Sequence, residues 1–483
     1  MRQVRQQEYA PIAVRTAQPA QRRWFRWRRL PLRYAAIVLG CGLLMFAGSS
    51  RVFGATPGTT KPQVALVLAT ALAGMASLIA AGMPISAPPA WKRLYRWLRA
   101  LIYVAALLLM LGTFAVFAGT LALAIQYPAS QTYVNDVISF THVNAGLVLA
   151  GKNPYTSDDM FMVALREYPQ ALPTALRRGL FGTGYDSPAQ DQLVAMRRRY
   201  LANPQATDGS FDPRTLHSYP ALSFLLYVPF IWAGLPNILL LNLLVCWGVF
   251  AWLAWLAPPG LRPAALLTAA ANCCIIYSLP VDTEIICIAL LLAAWHLRQR
   301  AGWQHWLAPA LLGLACAFKQ YSWFFVPFFL LEILLTSCWR ETLRWGSVAL
   351  AAFLLPNLPY IIASPGAWLT SLFLPMSDPL FPQGIGIMTL SLGHLLPYGP
   401  PALYAALELL ALVAVLWFQA HFHARLGDAA LLLALVPLLF AFRSPPNYFA
   451  FAPWLALYAA NRVYAARIMS SALQKETQYL SHH

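Results

Sequence analysis

Six side chains stand where long apolar runs begin or end: Asp136, Asp282, Glu284, Lys319, Gln320 and Arg443, five of them ionisable. Ionisable groups at a membrane edge are costly to hold, so they are functional candidates by default. Lys319, in "LLGLACAFKQYSWFF", joins two apolar stretches and precedes a run of aromatics. It suits a phosphate contact at a lipid–water boundary, or a side chain that snorkels to the headgroups. Arg443, in "AFRSPPNYFAF", precedes a proline pair that breaks a helix and frees backbone donors. Its guanidinium can hold phosphate by two parallel bonds, or anchor a headgroup. Asn447 and Tyr448 follow close by as helpers. Asp282 and Glu284, in "LPVDTEIIC", open a helix, where acids serve as dipole caps or orient a substrate hydroxyl or a loop cation.

The other carboxylate lies in "YVNDVISFTHVNAGLVLAGKNPY", Tyr133 to Tyr155. Asp136 starts a short helix whose apolar face, Val137, Phe140, Leu147 and Leu149, is expected to lie on the bilayer. Asn135 is its helper or its cap. His217 and Tyr219, in "HSYPALSF", are expected to line the same cavity. Ser157-Asp158-Asp159 reads as a helix start, and a divalent metal there is the weaker reading because no His or Cys stands near.

These residues need elements to hold them. The chain has 483 residues, 59% of them hydrophobic and 11% charged. An average soluble domain is about a quarter charged, so this composition predicts an all-α polytopic membrane protein. Lys and Arg number 34 against 17 acids, and they cluster between apolar segments, which is the positive-inside pattern. That pattern argues against nucleic acid as the partner. The seven cysteines sit in or beside apolar segments and form no metal or disulfide framework. "RRWFRWRR", Arg22 to Arg29, reads as an interfacial anchor and not a cleaved signal.

Hydropathy predicts about twelve spans, near 34–50, 63–84, 98–126, 236–256, 264–279, 283–297, 305–319, 321–337, 345–363, 401–420, 429–442 and 446–463. The basic stretches Trp91–Arg99, Leu297–Arg300, Trp339–Arg344 and His421–Gly427, with both termini, are expected inside. For that parity to hold, Pro220–Gly234 and Gly384–Pro397 must not span. Asp136, Asp282, Glu284, Lys319, Gln320 and Arg443 then share the outer face. No Walker loop, Rossmann fingerprint, G-x-S-x-G elbow or H-E-x-x-H motif occurs.

The order of the motifs resembles the GT-C superfamily of membrane glycosyltransferases, nearest the mannosyltransferase-like branch. A span ends in an outside acid, "AGLVLAGKNPY" follows, the loop re-enters through "SYPALSFLLYVPF", and "DTE" and "CAFKQYSWFFVPF" come later. The likeness covers roughly residues 98–340, with a weaker echo at Arg443–Phe451. The branch's "YPP" re-entry is here Tyr219-Pro220-Ala221. The resemblance implies a GT-C fold with juxtamembrane helices in a large first outside loop, 127–235. It implies a polyprenyl-phosphate-linked sugar donor, mannose or related, and a glycan, lipid or protein acceptor. It makes Asp136 the catalytic base and Lys319 a donor-phosphate ligand, with Glu284 at an acidic core-helix position; Arg443 is added from its own chemistry. No cofactor is required by such a scheme.

The expected domains are a basic segment 1–33, an extra hairpin 34–97, a catalytic module 98–363, a C-terminal module 364–465 and a tail 466–483. The expected location is a bacterial plasma membrane with the site facing outside. The competing reading is a lipid or glycan transporter or flippase. It would need ionisable groups facing each other at the midplane, with Glu332 and Glu408 as candidates.

Overall fold

A computed structural model describes residues 30–49, 61–84, 89–157, 160–172, 174–182, 184–203, 217–235, 237–272 and 283–481. The Arg22–Arg29 anchor, Asp158, Asp159, Cys273, Cys274 and Asp282 lie outside these residues. The described chain is mostly helical. Among the described residues, five helical stretches are long and apolar enough to cross a membrane: Lys61–Gly82, Pro89–Gln126, Leu239–Leu256, Trp339–Ala363 and Pro401–Leu433. Their outward faces carry exposed leucines such as Leu108, Leu355 and Leu410, as expected where lipid is the solvent.

Pro220–Gly234 folds as two short helices, Leu222–Leu225 and Val228–Trp232. Leu222 to Trp232 would reach about 16 Å, well short of a hydrocarbon core of about 30 Å. Gly384–Pro397 holds one five-residue helix, Met388–Leu392, among turns, and does not span either.

Three expectations need correction. The stretch 429–442 is not one helix but short pieces, Ala430–Leu433 and a 3-10 turn Pro437–Phe440. Pro437 supplies no N–H and stops the first piece. At 446–463, Pro445 and Pro446 delay the helix, which starts at Ala452 and continues to Ser481 through the expected tail. The helix Pro365–Ser377 was not expected at all.

The first two helices, Leu32–Ser49 and Lys61–Gly82, meet closely at Gly40 and Gly74, where a Cβ on either would stand about 3 Å from the other's carbonyl oxygen. They pack on Ala452–Ser481, and the Tyr34 hydroxyl donates to Asn461 Oδ1 at 2.6 Å. Asn461 Nδ2 in turn donates to Leu253 O at 2.8 Å. The hairpin is thus part of the core.

Ion pairs and hydrogen bonds gather the basic stretches at one end of the bundle. Arg33 donates to Ala81 O at 2.7 Å, and Arg467 donates to Pro84 O at 3.2 Å. Tyr95 bonds Leu30 O. Arg298 and Arg462 both pair with Asp428, at 2.7 and 3.3 Å. His305, just after Leu297–Arg300, meets Glu341 at 2.8 Å. The helix Glu284–Leu297 leads away from that end for about 20 Å. At its far end lies a large cavity.

Candidate active site

The cavity measures about 1570 Å³, above the usual range for small-ligand pockets. Nine of the eleven residues singled out in the sequence line it: Asn135, Asp136, Tyr219, Glu284, Lys319, Gln320, Arg443, Asn447 and Tyr448. The tenth, His217, lies behind the wall, and the eleventh, Asp282, is outside the described residues.

Asp136 is the first residue of the helix Asp136–Leu149. Asn135 is its N-cap: the side-chain oxygen accepts from Ile138 N at 3.3 Å. Asn135 also pairs with Leu172 as a single parallel bridge. That pairing brings Thr174 N to Asp136 Oδ2 at 2.6 Å, so a backbone N–H holds the half-buried carboxylate. The helix ends in a Schellman turn, with Lys152 N bonding Leu147 O and Gly151 N bonding Val148 O. Gly151 takes φ +73°, which glycine adopts without strain. Tyr155 beyond it is fully buried and donates to Tyr219 O at 2.8 Å, so "GKNPY" anchors the re-entry segment.

The expectation that Asp136–Leu149 lies on the bilayer is corrected. Its buried residues include Ile138, Thr141, Val143, Asn144 and Ala145, while Leu149 is exposed. The helix packs against Met160–Glu167 and the two re-entry helices. Apolar residues occur all round it, so sequence could not say which face was inward.

Lys319 links the end of Trp303–Phe318 to the 3-10 segment Gln320–Phe325. It does not snorkel. It is 5% exposed, is ion-paired to the buried Glu284, and stands 4.8 Å from the Tyr219 ring centre. Asn447 Nδ2 donates to the same Glu284 oxygen at 3.4 Å. Glu284 therefore acts as more than a helix-start acid: it compensates the ammonium. Gln320 ties the wall together by donating to Ser218 O and Leu372 O. The Tyr321 hydroxyl holds Tyr448 O at 2.9 Å.

Arg443 sits in a two-residue parallel pairing, Gln383–Gly384 with Arg443–Ser444. Its Nη2 donates to Gln383 Oε1 at 3.1 Å. Burial lowers its pKa, and the nearby Tyr448, Asp136 and Tyr219 oppose that shift. Among the described residues no carboxylate forms an ion pair with it.

His217 is corrected from a cavity residue to a core residue. It is 1% exposed and packed edge-on to Tyr155, Tyr219 and Phe224. The Ser223 hydroxyl donates to Pro220 O at 2.7 Å, which leaves its oxygen to accept from His217 Nε2 at 2.6 Å. Burial, then the Lys319 charge, lowers its pKa to about 3.

Four lining residues with charged or amide side chains were not expected: Arg177, Asp378, Gln383 and Glu408. Asp378 comes from the unexpected helix segment, and Glu408 was weighed only for transport. Arg177 lies in the outside loop, with no local signal in the sequence. Its place depends on Leu176 bridging Leu380 across some 200 residues of sequence. Among the described residues no three His, Cys, Asp or Glu side chains cluster at metal-binding range. The lining also includes large apolar side chains, among them Trp323, Phe324, Phe373, Leu374, Leu412 and Leu438. Comparisons of the chain with protein-family models, with curated proteins and with solved structures find no match.

Proposed function

We propose that the cavity is the active site of an integral membrane glycosyltransferase with a GT-C type of fold. It moves mannose or a related sugar from a polyprenyl phosphate to an acceptor hydroxyl on a glycan, lipid or protein. The observation that carries the reading is one cavity that joins a fixed carboxylate, two cations and an apolar wall. Asp136 accepts the acceptor's proton as the hydroxyl oxygen attacks the anomeric carbon. The bond from that carbon to the phosphate oxygen breaks, and its electron pair leaves with the phosphate. Arg443 and Lys319 hold the charge that grows there. The displacement passes through an oxocarbenium-like state and inverts the anomeric centre in one step. The apolar wall takes the prenyl chain.

The basic stretches meet at the opposite end of the bundle, which supports an extracytoplasmic site in a plasma membrane. The transport reading has less support. Glu332 pairs with Arg298 at 3.6 Å and accepts from Gln419, whereas Glu408 lines the cavity. The two carboxylates belong to different surroundings and do not face each other along one route. The test is turnover: purified protein is given polyprenyl-phosphate sugars and candidate acceptors, and released polyprenyl phosphate is measured. Release with sugar transfer supports the reading. Movement of intact labelled donor across proteoliposomes with no bond cleavage overturns it.

A further inference from the structure

Arg177 has no role in the scheme above, yet it faces the same cavity. Its guanidinium lies over the Tyr185 ring, 4.5 Å from the centre, and Tyr185 stacks on Tyr398 at 4.1 Å. Its Nε donates to Leu380 O at 2.9 Å and its own backbone N to Pro379 O at 2.8 Å. Stacking engages the flat face and Leu380 engages Nε. The two terminal nitrogens have no hydrogen-bond partner among the described residues, and no carboxylate there pairs with the side chain.

Arg443 is held from the same short segment, through Gln383. Phe442, the residue before Arg443, has its ring centre 5.8 Å from the Arg177 Cζ. Lys319 differs from both because Glu284 compensates its charge. We infer that Arg177 and Arg443 form a two-guanidinium site for a phosphate ester, with Arg177 a direct ligand of the anion. Guanidinium forks match phosphate oxygens in pairs, and ring stacking pre-orients this one. The same loop carries Thr174, whose N–H holds Asp136, so the anion ligand and the carboxylate share one strap. The inference rests on the transferase reading for the identity of the ester, but not for the site itself.

The test uses wild-type protein in detergent. Arginine labelling by phenylglyoxal is mapped by mass spectrometry with dodecyl phosphate, with inorganic phosphate and with neither. Dodecyl phosphate is expected to protect Arg177 and Arg443 and to leave the exposed Arg166 labelled. Equal protection by inorganic phosphate at the same concentration overturns the lipid-linked source in favour of free phosphate. Unchanged Arg177 labelling at saturating dodecyl phosphate overturns the proposal. In direct binding, Arg177→Gln and Arg443→Gln each weaken dodecyl phosphate by about 10- to 100-fold, and Arg166→Gln does not. Binding through both arginines without any sugar transfer would sink the transferase reading and leave this site standing. Transfer by Arg177→Gln with unchanged KM for the donor would do the reverse.

Discussion

Replacing Lys319 by Met separates structure from chemistry at the centre of the cavity. The ammonium and the Glu284 carboxylate are 6% and 1% exposed. Removing the ammonium leaves a buried carboxylate with Asn447 Nδ2 at 3.4 Å and one oxygen, Oε2, that has no hydrogen bond. Breaking a buried pair from one side costs about 3–5 kcal/mol, whereas neutralising both partners is close to neutral. Lys319→Met should therefore fall by about 3–5 kcal/mol, and Glu284→Gln combined with it should return to within about 1 kcal/mol of wild type. The assay is unfolding in detergent, followed by tryptophan fluorescence, with sugar transfer measured on the same samples. The double variant should recover stability and stay inactive, because the phosphate still lacks the ammonium. A Lys319→Met protein as stable as wild type would refute the buried pair. A double variant that regains both stability and transfer would reduce Lys319 to a structural role.

Three further outcomes follow from the same geometry. His217 has its pKa lowered from 6.5 to about 3 by burial, so protons favour the unfolded chain. Its contribution is whole above pH 6.5 and is lost as pH falls toward 3, amounting to about 2 kcal/mol by pH 5; His217→Gln should flatten that slope in pH-dependent unfolding. Gly384 has φ +147°, and a Cβ there would stand 2.7 Å from Ser444 O. Gly384→Ala should cost about 2 kcal/mol or more in unfolding and weaken dodecyl phosphate binding, because it displaces the strand that carries Arg443. Asn135→Ala removes the cap on Ile138 N and should cost about 1 kcal/mol in the same unfolding assay.

What the sequence revealed was charge and breakage. Basic stretches between apolar runs marked one end of the bundle, and their parity marked Pro220–Gly234 as a segment that does not span. Lys319, Arg443, Glu284 and Asp136 stood out because ions beside apolar runs are costly. Pairing between distant segments was not legible. A loop cation was one reading for Glu284, but that the cation is Lys319 depends on two antiparallel helices ending at one level. Arg177 reaches the cavity only through a bridge to Leu380, and Pro365–Ser377 hid in a stretch rich in proline. The helix after Asp136 misled for a different reason: with apolar residues on every side, its pattern held no preferred face, and packing chose one.

The most direct test of the account is Asp136→Asn. The amide keeps the shape and the contact with Thr174 N through its oxygen, but it cannot accept the acceptor's proton. Transfer should fall by about 10²- to 10⁴-fold, with donor affinity and unfolding unchanged. Wild-type turnover in that variant would contradict the central claim.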